Sequence, residues 1–595
     1  MQRRSKKKSQ TLTLSILILA FTLTAWTGFS KSGAAGEILQ QGNSFVPGEI
    51  LVQLKPGYRL ETVLSTLSIQ LAAEDAGKHA PRGLERLKLP KGETVLDAVS
   101  ALKGKEGVLF AQPNYLYHAA LVPDDPSYPS QWALPKIGSP AAWDLTTGSS
   151  DVLVATLDTG IDLNHPDLAG NIWTNPGEIP ANGIDDDGNG YIDDVHGWNS
   201  VASSADVQDD QGHGTHVAGI IGAVGNNGKG VTGLNWNVGI IAVKANEGNS
   251  FTTLDLAKGI DYVTALRTGK NLPVVAINAS LGAAVSEDPL LNQAIGNAEK
   301  AGILFVAAAG NNNSDNDRTP FYPASLFRPN VLSVAATDEN DALAIFGSLT
   351  DPGSNYGRRT VHLGAPGKAI LSTYRDLGYA SLSGTSMAAP HVTGILALLR
   401  TLHPNWDWMA LKNKVLSSGT PVPGLAPKTV TGRRLLAAGD GGLGALTGSG
   451  QVVRSRLRPI EDTLDLSPGS TVELAALNIR DEASLGGLDV PLTRNGSAYG
   501  TVTLKDDGTG FDQAAGDGIA SAVWIVPEQA DSTYRFSFPD GTLTVTVQLA
   551  PEEPPASSGG GGGGCNAAGF GPWFFLCIPA AFLARKREKQ APTGR

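Results

Sequence analysis

Asp151-Val152-Leu153-Val154-Ala155-Thr156-Leu157-Asp158-Thr159-Gly160 joins a short apolar run, residues 152–157, to an acid and a turn. Similar runs recur at 238–243, 274–277, 303–309 and 331–335, and the stretches 254–266 and 290–301 between them carry apolar residues at helical spacing. Short strands apolar on both faces, alternating with helices, predict an α/β fold with a doubly wound parallel sheet. Ligands of such a sheet sit beyond the carboxyl ends of its strands, so the chemistry is expected there.

Outward from this core, the chain of 595 residues is too long for a single domain. Arg3, Arg4, Lys6, Lys7 and Lys8 precede an apolar run at 12–23 and the small residues Ser32-Gly33-Ala34-Ala35, the pattern of a signal peptide over 1–35 and hence of export. Residues 45–120 form a small α/β module in this reading. Its strand at 48–55 stops at Pro56-Gly57, its helix places Val95, Ala98, Val99 and Leu102 on one face, and a second strand covers 107–117. Pro123-Asp124-Asp125-Pro126 reads as an exposed linker to the main domain, 125–440.

Short alternating runs at 470–474, 499–504, 519–525 and 543–549 predict a β-sandwich domain over 450–550. Within it, Lys505-Asp506-Asp507-Gly508-Thr509-Gly510-Phe511-Asp512, with Asp517-Gly518 beyond, offers carboxylates for a cation, though Asp and Gly are also what turns require. A Pro/Gly-rich linker, 551–564, ends in six glycines. From Cys565 to Arg595 a short apolar segment broken by Gly569, Gly571, Pro572 and Pro579 precedes Arg585, Lys586, Arg587 and Lys589; this suits a processing signal with transient membrane association better than a permanent anchor. The net charge of -11 argues against a nucleic-acid partner. Both cysteines, Cys565 and Cys577, lie in the final stretch, so no disulfide staples the rest.

Four motifs carry the chemistry. Asp158 closes the first apolar strand, where a carboxylate can hold a histidine in one tautomer. His213 lies in Gly212-His213-Gly214-Thr215-His216-Val217-Ala218-Gly219, between a glycine turn and a helix with small residues; pairing it with His216 as metal ligands lacks the glutamate and spacing of a zinc-protease helix. Ser386, in Leu382-Ser383-Gly384-Thr385-Ser386-Met387-Ala388-Ala389-Pro390, is expected near a helix N-terminus, with Pro390 in the first turn. Asn311 follows the strand 305–310, and its amide can join the Ser386 N–H as an oxyanion donor. Ser280-Leu281-Gly282, also after a strand, offers an edge for a peptide backbone.

A further loop, Asp185-Asp186-Asp187-Gly188-Asn189-Gly190-Tyr191-Ile192-Asp193-Asp194, sets Asp185, Asp187, Asn189, Tyr191 and Asp193 at positions one, three, five, seven and nine of a calcium loop. His196 stands where a bidentate glutamate is usual. Calcium as a structural ion is the expectation, because so many carboxylates in one loop repel one another without a cation.

In their order Asp, His, Asn, Ser, the four motifs resemble those of the subtilisin-like serine proteases, over about 125–438. The resemblance implies a secreted serine endopeptidase with Asp158, His213 and Ser386 as catalytic triad and Asn311 as oxyanion residue. It implies that Ser280, Leu281 and Gly282 line the substrate cleft, and that Asn312 stands near the pocket choosing the side chain before the cut. Family members with an acid there carry a charge that Asn312 lacks, which counts against a basic-residue preference. By the same resemblance, 45–120 is a ferredoxin-like inhibitory prodomain, cut off by the enzyme itself between about Tyr117 and Asp125. The tail resembles a glycine-rich bacterial sorting signal, which implies surface or extracellular localisation with membrane tethering before release. Rival readings are a non-catalytic surface-binding protein on this scaffold, and an adhesin acting through the β-sandwich.

Overall fold

The computed structural model describes residues 45–548 apart from 66–71, 75–82, 91–92, 116–120, 440–443, 447, 449 and 530. The expected signal peptide, the linker, the sorting segment and Tyr117 lie outside the described residues. Among the described residues, no helix is long and apolar enough to cross a membrane.

The N-terminal module runs β1 (Phe45–Leu54), α1 (Leu60–Leu64), β2 (Ala72–Glu74), β3 (Leu84–Lys88), α2 (Val95–Leu102) and β4 (Val108–Tyr115). Its sheet has the order β2-β3-β1-β4 with antiparallel neighbours, the ferredoxin-like arrangement. Ile50, Val52, Leu87, Ala98 and Leu102 are fully buried between sheet and helices.

The catalytic-size unit is built on β5 (Gly148–Asp158), β6 (Gly197–Asn199), α3 (His213–Gly222), β7 (Asn237–Lys244), α4 (Thr253–Gly269), β8 (Val274–Ala279), α5 (Pro289–Lys300), β9 (Leu304–Ala308), β10 (Val331–Thr337), β11 (Leu363–Pro366), a hairpin of β12 (Ile370–Tyr374) and β13 (Gly378–Leu382), α6 (Thr385–Leu402), α7 (Trp408–Ser417), and the two-residue strands β14 (Thr420–Pro421) and β15 (Arg433–Arg434). The nine-stranded sheet has the order β14-β15-β11-β10-β9-β8-β5-β7-β6, parallel except at β14–β15. After β5 the chain builds outward on one side to β6 and β7, then returns to build the other side from β8, so the crevice opens between β5 and β8.

Alternation along the strands explains the apolar runs. Val152 and Val154 pack with α3 and α6 on one face, while Leu153, Ala155 and Leu157 pack with α4 and α5 on the other. Each face needs a hydrophobic side chain, so no polar residue interrupts the run until Thr156.

The C-terminal unit has strands β16 (Val453–Arg458), β17 (Thr463–Leu466), β18 (Thr471–Arg480), β19 (Ala483–Ser484), β20 (Leu488–Arg494), β21 (Ser497–Leu504), β22 (Ile519–Ile525), β23 (Ser532–Phe538) and β24 (Gly541–Val547). One sheet joins β16, β18, β19 and β22; the other has the order β17-β24-β23-β20-β21. Val472, Leu474, Val490, Tyr534, Phe536 and Val545 fill the space between them. Ala475, Leu477 and Ile479 of β18 point the other way, into the core shared with α6 and α7.

Candidate active site

Asp158 ends β5 and is fully buried. Its Oδ1 accepts hydrogen bonds from His213 Nδ1 at 2.7 Å and from the Thr159 N–H at 2.8 Å. His213 opens α3, whose exposed N–H groups are capped by Asp209. That carboxylate takes the N–H groups of Gln211, Gly212 and Thr215 and the hydroxyls of Thr159 and Thr215. Gly214 is needed for the approach of helix to strand, since a Cβ there would stand 2.2 Å from the Gly160 carbonyl. Burial alone would lower the His213 pKa, but the Asp158 charge and hydrogen bond, with Asp209 nearby, hold it above the ordinary value of 6.5.

His216, one turn along, has the opposite fate. Its Nε2 faces the carbonyls of Ile370 and Ala380, both at 3.0 Å, and burial pushes its pKa down to about 4. It is a neutral core residue that holds α3 to the β12–β13 hairpin.

Ser386 stands in the first turn of α6, which begins at Thr385. Pro390 therefore lies beyond the first turn, contrary to the sequence expectation. Proline has no N–H for the carbonyl four residues back, which belongs to Ser386. The Ser280 hydroxyl takes that carbonyl instead, at 2.8 Å, and the Ser386 hydroxyl donates to the Ser280 carbonyl at 3.0 Å. Asn278 donates to the Ser280 hydroxyl at 2.9 Å and accepts from Thr393 of α6 at 2.9 Å, which ties the end of β8 to the helix.

Asn311 follows β9. Its Oδ1 accepts from the Thr385 N–H and hydroxyl, both at 2.9 Å, so the amide nitrogen is the end left for the cleft. A Cβ on Gly384 would sit 3.4 Å from that nitrogen and 3.6 Å from the Ser386 backbone nitrogen. Glycine thus keeps open the space on which two N–H donors converge.

A cavity of about 470 Å³ adjoins these groups and is lined by Leu281, Gly282, Asn311, Asn312 and Ser386 among others. Asp351 also lines it, from a loop far along the chain that sequence reasoning passed over. A carboxylate thus borders the cavity that Asn312 also lines. Asn355 fixes this wall by accepting the N–H groups of Asn312 and Ser314 at 2.8 and 3.0 Å.

The acidic loop gathers differently from its expected pattern. Glu178, Asp187 and Asp194 bring oxygens within 4.8 Å of one another, so of the three expected aspartates only Asp187 belongs to this carboxylate group. Asp185 accepts the N–H groups of Asn189 and Gly190, and Asp193, at φ 55°, turns its carboxylate to the N–H groups of Asn182 and Gly183. The Asn189 amide donates to Asp194 at 3.0 Å, and the Tyr191 ring packs on Trp198 and Tyr262. Glu178 lies outside the loop, and only the fold reveals it. Burial pushes the Asp194 carboxyl up to about 6.

A buried acid at the carboxyl end of a parallel strand holding a half-buried imidazole, a serine at a helix start and two convergent N–H donors define a hydrolase of the serine-nucleophile class. Comparison with known proteins gives the family. The subtilase family pattern matches residues 149–441, and the fervidolysin N-terminal prodomain pattern matches residues 33–114. A thermophilic serine proteinase of Bacillus sp. (strain AK1) is 36% identical over 401 residues, covering 66% of this chain and 88% of that protein. Thermitase of Thermoactinomyces vulgaris is 39% identical over 279 residues, 47% of this chain and 85% of its own. A solved protease from Pseudoalteromonas arctica aligns at 27% identity over 53% of this chain and 97% of that one, with a TM-score of 0.44. The chain belongs to the subtilase family and is a subtilisin-like serine endopeptidase with an N-terminal prodomain.

Proposed function

We propose that the protein is exported as a precursor, removes its own prodomain, and cleaves internal peptide bonds through an acyl-enzyme on Ser386. The observation that carries this reading is the 2.7 Å bond between His213 Nδ1 and Asp158 Oδ1. With Nδ1–H donated to the carboxylate, Nε2 is the basic nitrogen. The Ser386 hydroxyl leaves the Ser280 carbonyl, gives its proton to Nε2 and attacks the substrate carbonyl. The Asn311 amide and the Ser386 N–H receive the developing oxyanion, and imidazolium His213 then protonates the leaving amine. Water repeats the cycle on the ester.

A substrate strand pairs beside Ser280, Leu281 and Gly282, with the side chain before the cut in the cavity bounded by Asn312 and Asp351. Self-cleavage falls between about Tyr117 and Asp125. Asp125 itself is buried, with its carboxylate on the Asn226 and Asn227 N–H groups, which supports a mature N-terminus ahead of it. Glu178, Asp187 and Asp194 are the residues that would hold a structural calcium ion, an all-oxygen donor set that suits a hard cation. The tail is read as a sorting signal processed near Cys565, with release to the surface or medium.

A fluorophosphonate probe is expected to label the parent chain and not Ser386→Ala, and Ser386→Ala is expected to keep its prodomain. Turnover should fall by about a millionfold, a magnitude known for subtilisin itself. Because neutral His213 is the active form and its pKa is raised, the acid limb of kcat/KM should inflect above 6.5. A folded, prodomain-free parent chain that the probe does not label would return the protein to the non-catalytic reading.

A further inference from the structure

A second acidic group sits where the sandwich meets the catalytic unit, and proteolysis makes no use of it. Asp506, Asp512 and Asp517 each bring one carboxylate oxygen to within 4.8 Å of the others. All three come from the segment between β21 and β22. Asp506 accepts the N–H groups of Gly516 and Gly518, at 2.6 and 2.9 Å, and the Ser484 hydroxyl. Asp512 Oδ2 accepts the Gly508 N–H at 2.5 Å, and Asp517 Oδ1 accepts the Ile519 N–H at 2.7 Å. The two remaining oxygens, Asp512 Oδ1 and Asp517 Oδ2, are buried without a hydrogen-bond donor, on residues 7% and 0% exposed.

Acidic turns are common, and two independent observations set this one apart. The first is Ser521, whose hydroxyl is also buried without a partner and which is 6% exposed. It lines the same small cavity as Asp512 and Asp517, to which Phe327 and Pro329 of the catalytic unit also contribute. The cavity measures about 10 Å³, room for the centre of one ion or one water. The second is charge. Facing three carboxylates, the Lys412 ammonium lies 3.8 Å from Asp517 Oδ2, is itself buried, and makes no hydrogen bond. One positive charge leaves three carboxylates, two of them buried, two short of neutrality.

We propose that this seam binds one calcium ion through Asp506, Asp512 and Asp517, with Ser521 lining its site, and that the ion clamps the C-terminal sandwich to the catalytic unit. Only oxygen faces the cavity from the cluster, which selects a hard cation. An irregular loop with three carboxylates suits the variable coordination of calcium better than the strict octahedron of magnesium. The clamp follows from the loop's neighbours. Gln513 donates to the Phe327 carbonyl at 3.1 Å, Phe511 stacks on Phe327 with ring centroids 5.9 Å apart, and Lys412 belongs to α7.

The test counts bound calcium by equilibrium dialysis on the full chain carrying Ser386→Ala, which prevents self-digestion. Adding Asp512→Asn and Asp517→Asn is expected to remove one calcium per chain. Adding Glu178→Gln and Asp194→Asn instead is expected to leave this ion in place, so failure of the loop site proposed above and failure of this one are distinguishable. An unchanged count in the folded Asp512→Asn/Asp517→Asn chain would overturn the proposal. Lys412→Met guards against misfolding of that variant. With the competing ammonium gone, calcium should bind at least about tenfold more tightly. If Lys412 is instead the permanent counter-ion, or the cavity takes only water, Lys412→Met will show no gain in calcium affinity, and the proposal fails.

Discussion

In the catalytic unit the buried polar groups around the cleft converge on a reaction: Asp209 caps the helix that carries His213, Asn278 and Ser280 tie β8 to the helix that carries Ser386, and Thr385 turns the Asn311 amide toward the cavity. In the sandwich the space between the sheets is filled almost entirely by apolar side chains, and the buried charges gather at its seam with the catalytic unit. Arg359 and Arg456 are 4% and 1% exposed there, and Asp540 receives Arg359 at 2.5 Å and the Arg456 N–H at 3.1 Å. Burial, with the Arg359 charge beside it, pulls the Arg456 pKa down to about 10. The difference teaches that activity and attachment rest on separate sets of polar residues. A substitution in one set should leave the other property alone.

The largest effect expected from that separation is at the seam. Asp540→Ala removes the carboxylate beside the buried Arg359 guanidinium, which is left with the largely exposed Asp462, and should lower unfolding stability by about 3–5 kcal/mol. Urea titration reads this, and turnover per folded molecule should not change. Loss of turnover with intact stability would break the comparison.

At the cleft the expectation reverses. Asn311→Ala should reduce kcat by about 100- to 1,000-fold, the range known for the same amide in subtilisin, with KM little altered. Its two hydrogen bonds with Thr385 limit the accompanying stability loss to about 2 kcal/mol. A larger loss would make Asn311 a structural residue first.

Much of this division could be read in the chain before folding. The β5 run, apolar from Val152 to Ala155, and the helical spacing at 254–266 and 290–301 reflect burial on both sides of one sheet, a local pattern with a direct physical cause. Asp158, Asn311 and Ser386 stand at strand ends or a helix start, positions that local sequence marks with glycine and small residues. The unread parts depend on distance. Asp209 caps α3 from within a polar stretch that looks like any loop, Asp351 reaches the cavity from another segment, and Glu178 joins Asp187 and Asp194 only through the folded turn. Arg359 and Asp540 lie 181 positions apart in the chain. No periodicity relates two such residues, since their pairing exists only after two domains dock.

The smallest effect per residue separates the two units by pH. His216 and His391 are buried, and burial pushes each pKa down to about 4; His362, also buried, falls to about 3. All three are neutral in the fold, while the unfolded chain titrates near 6.5. Below 6.5 the unfolded state therefore takes up protons that the fold refuses, and stability is lost as pH falls from 6.5 toward 4. Between pH 7 and 5 each histidine should contribute about 2 kcal/mol of that loss. The sandwich, residues 450–548, contains no histidine and has no share in it. His391→Asn keeps a donor for the Met387 carbonyl, now 2.8 Å from Nδ1, and should remove about 2 kcal/mol of the pH dependence measured by urea midpoints at pH 7, 6 and 5. A slope unchanged by this substitution would take His391 out of the acid sensitivity, and the division between the two units would lose this support.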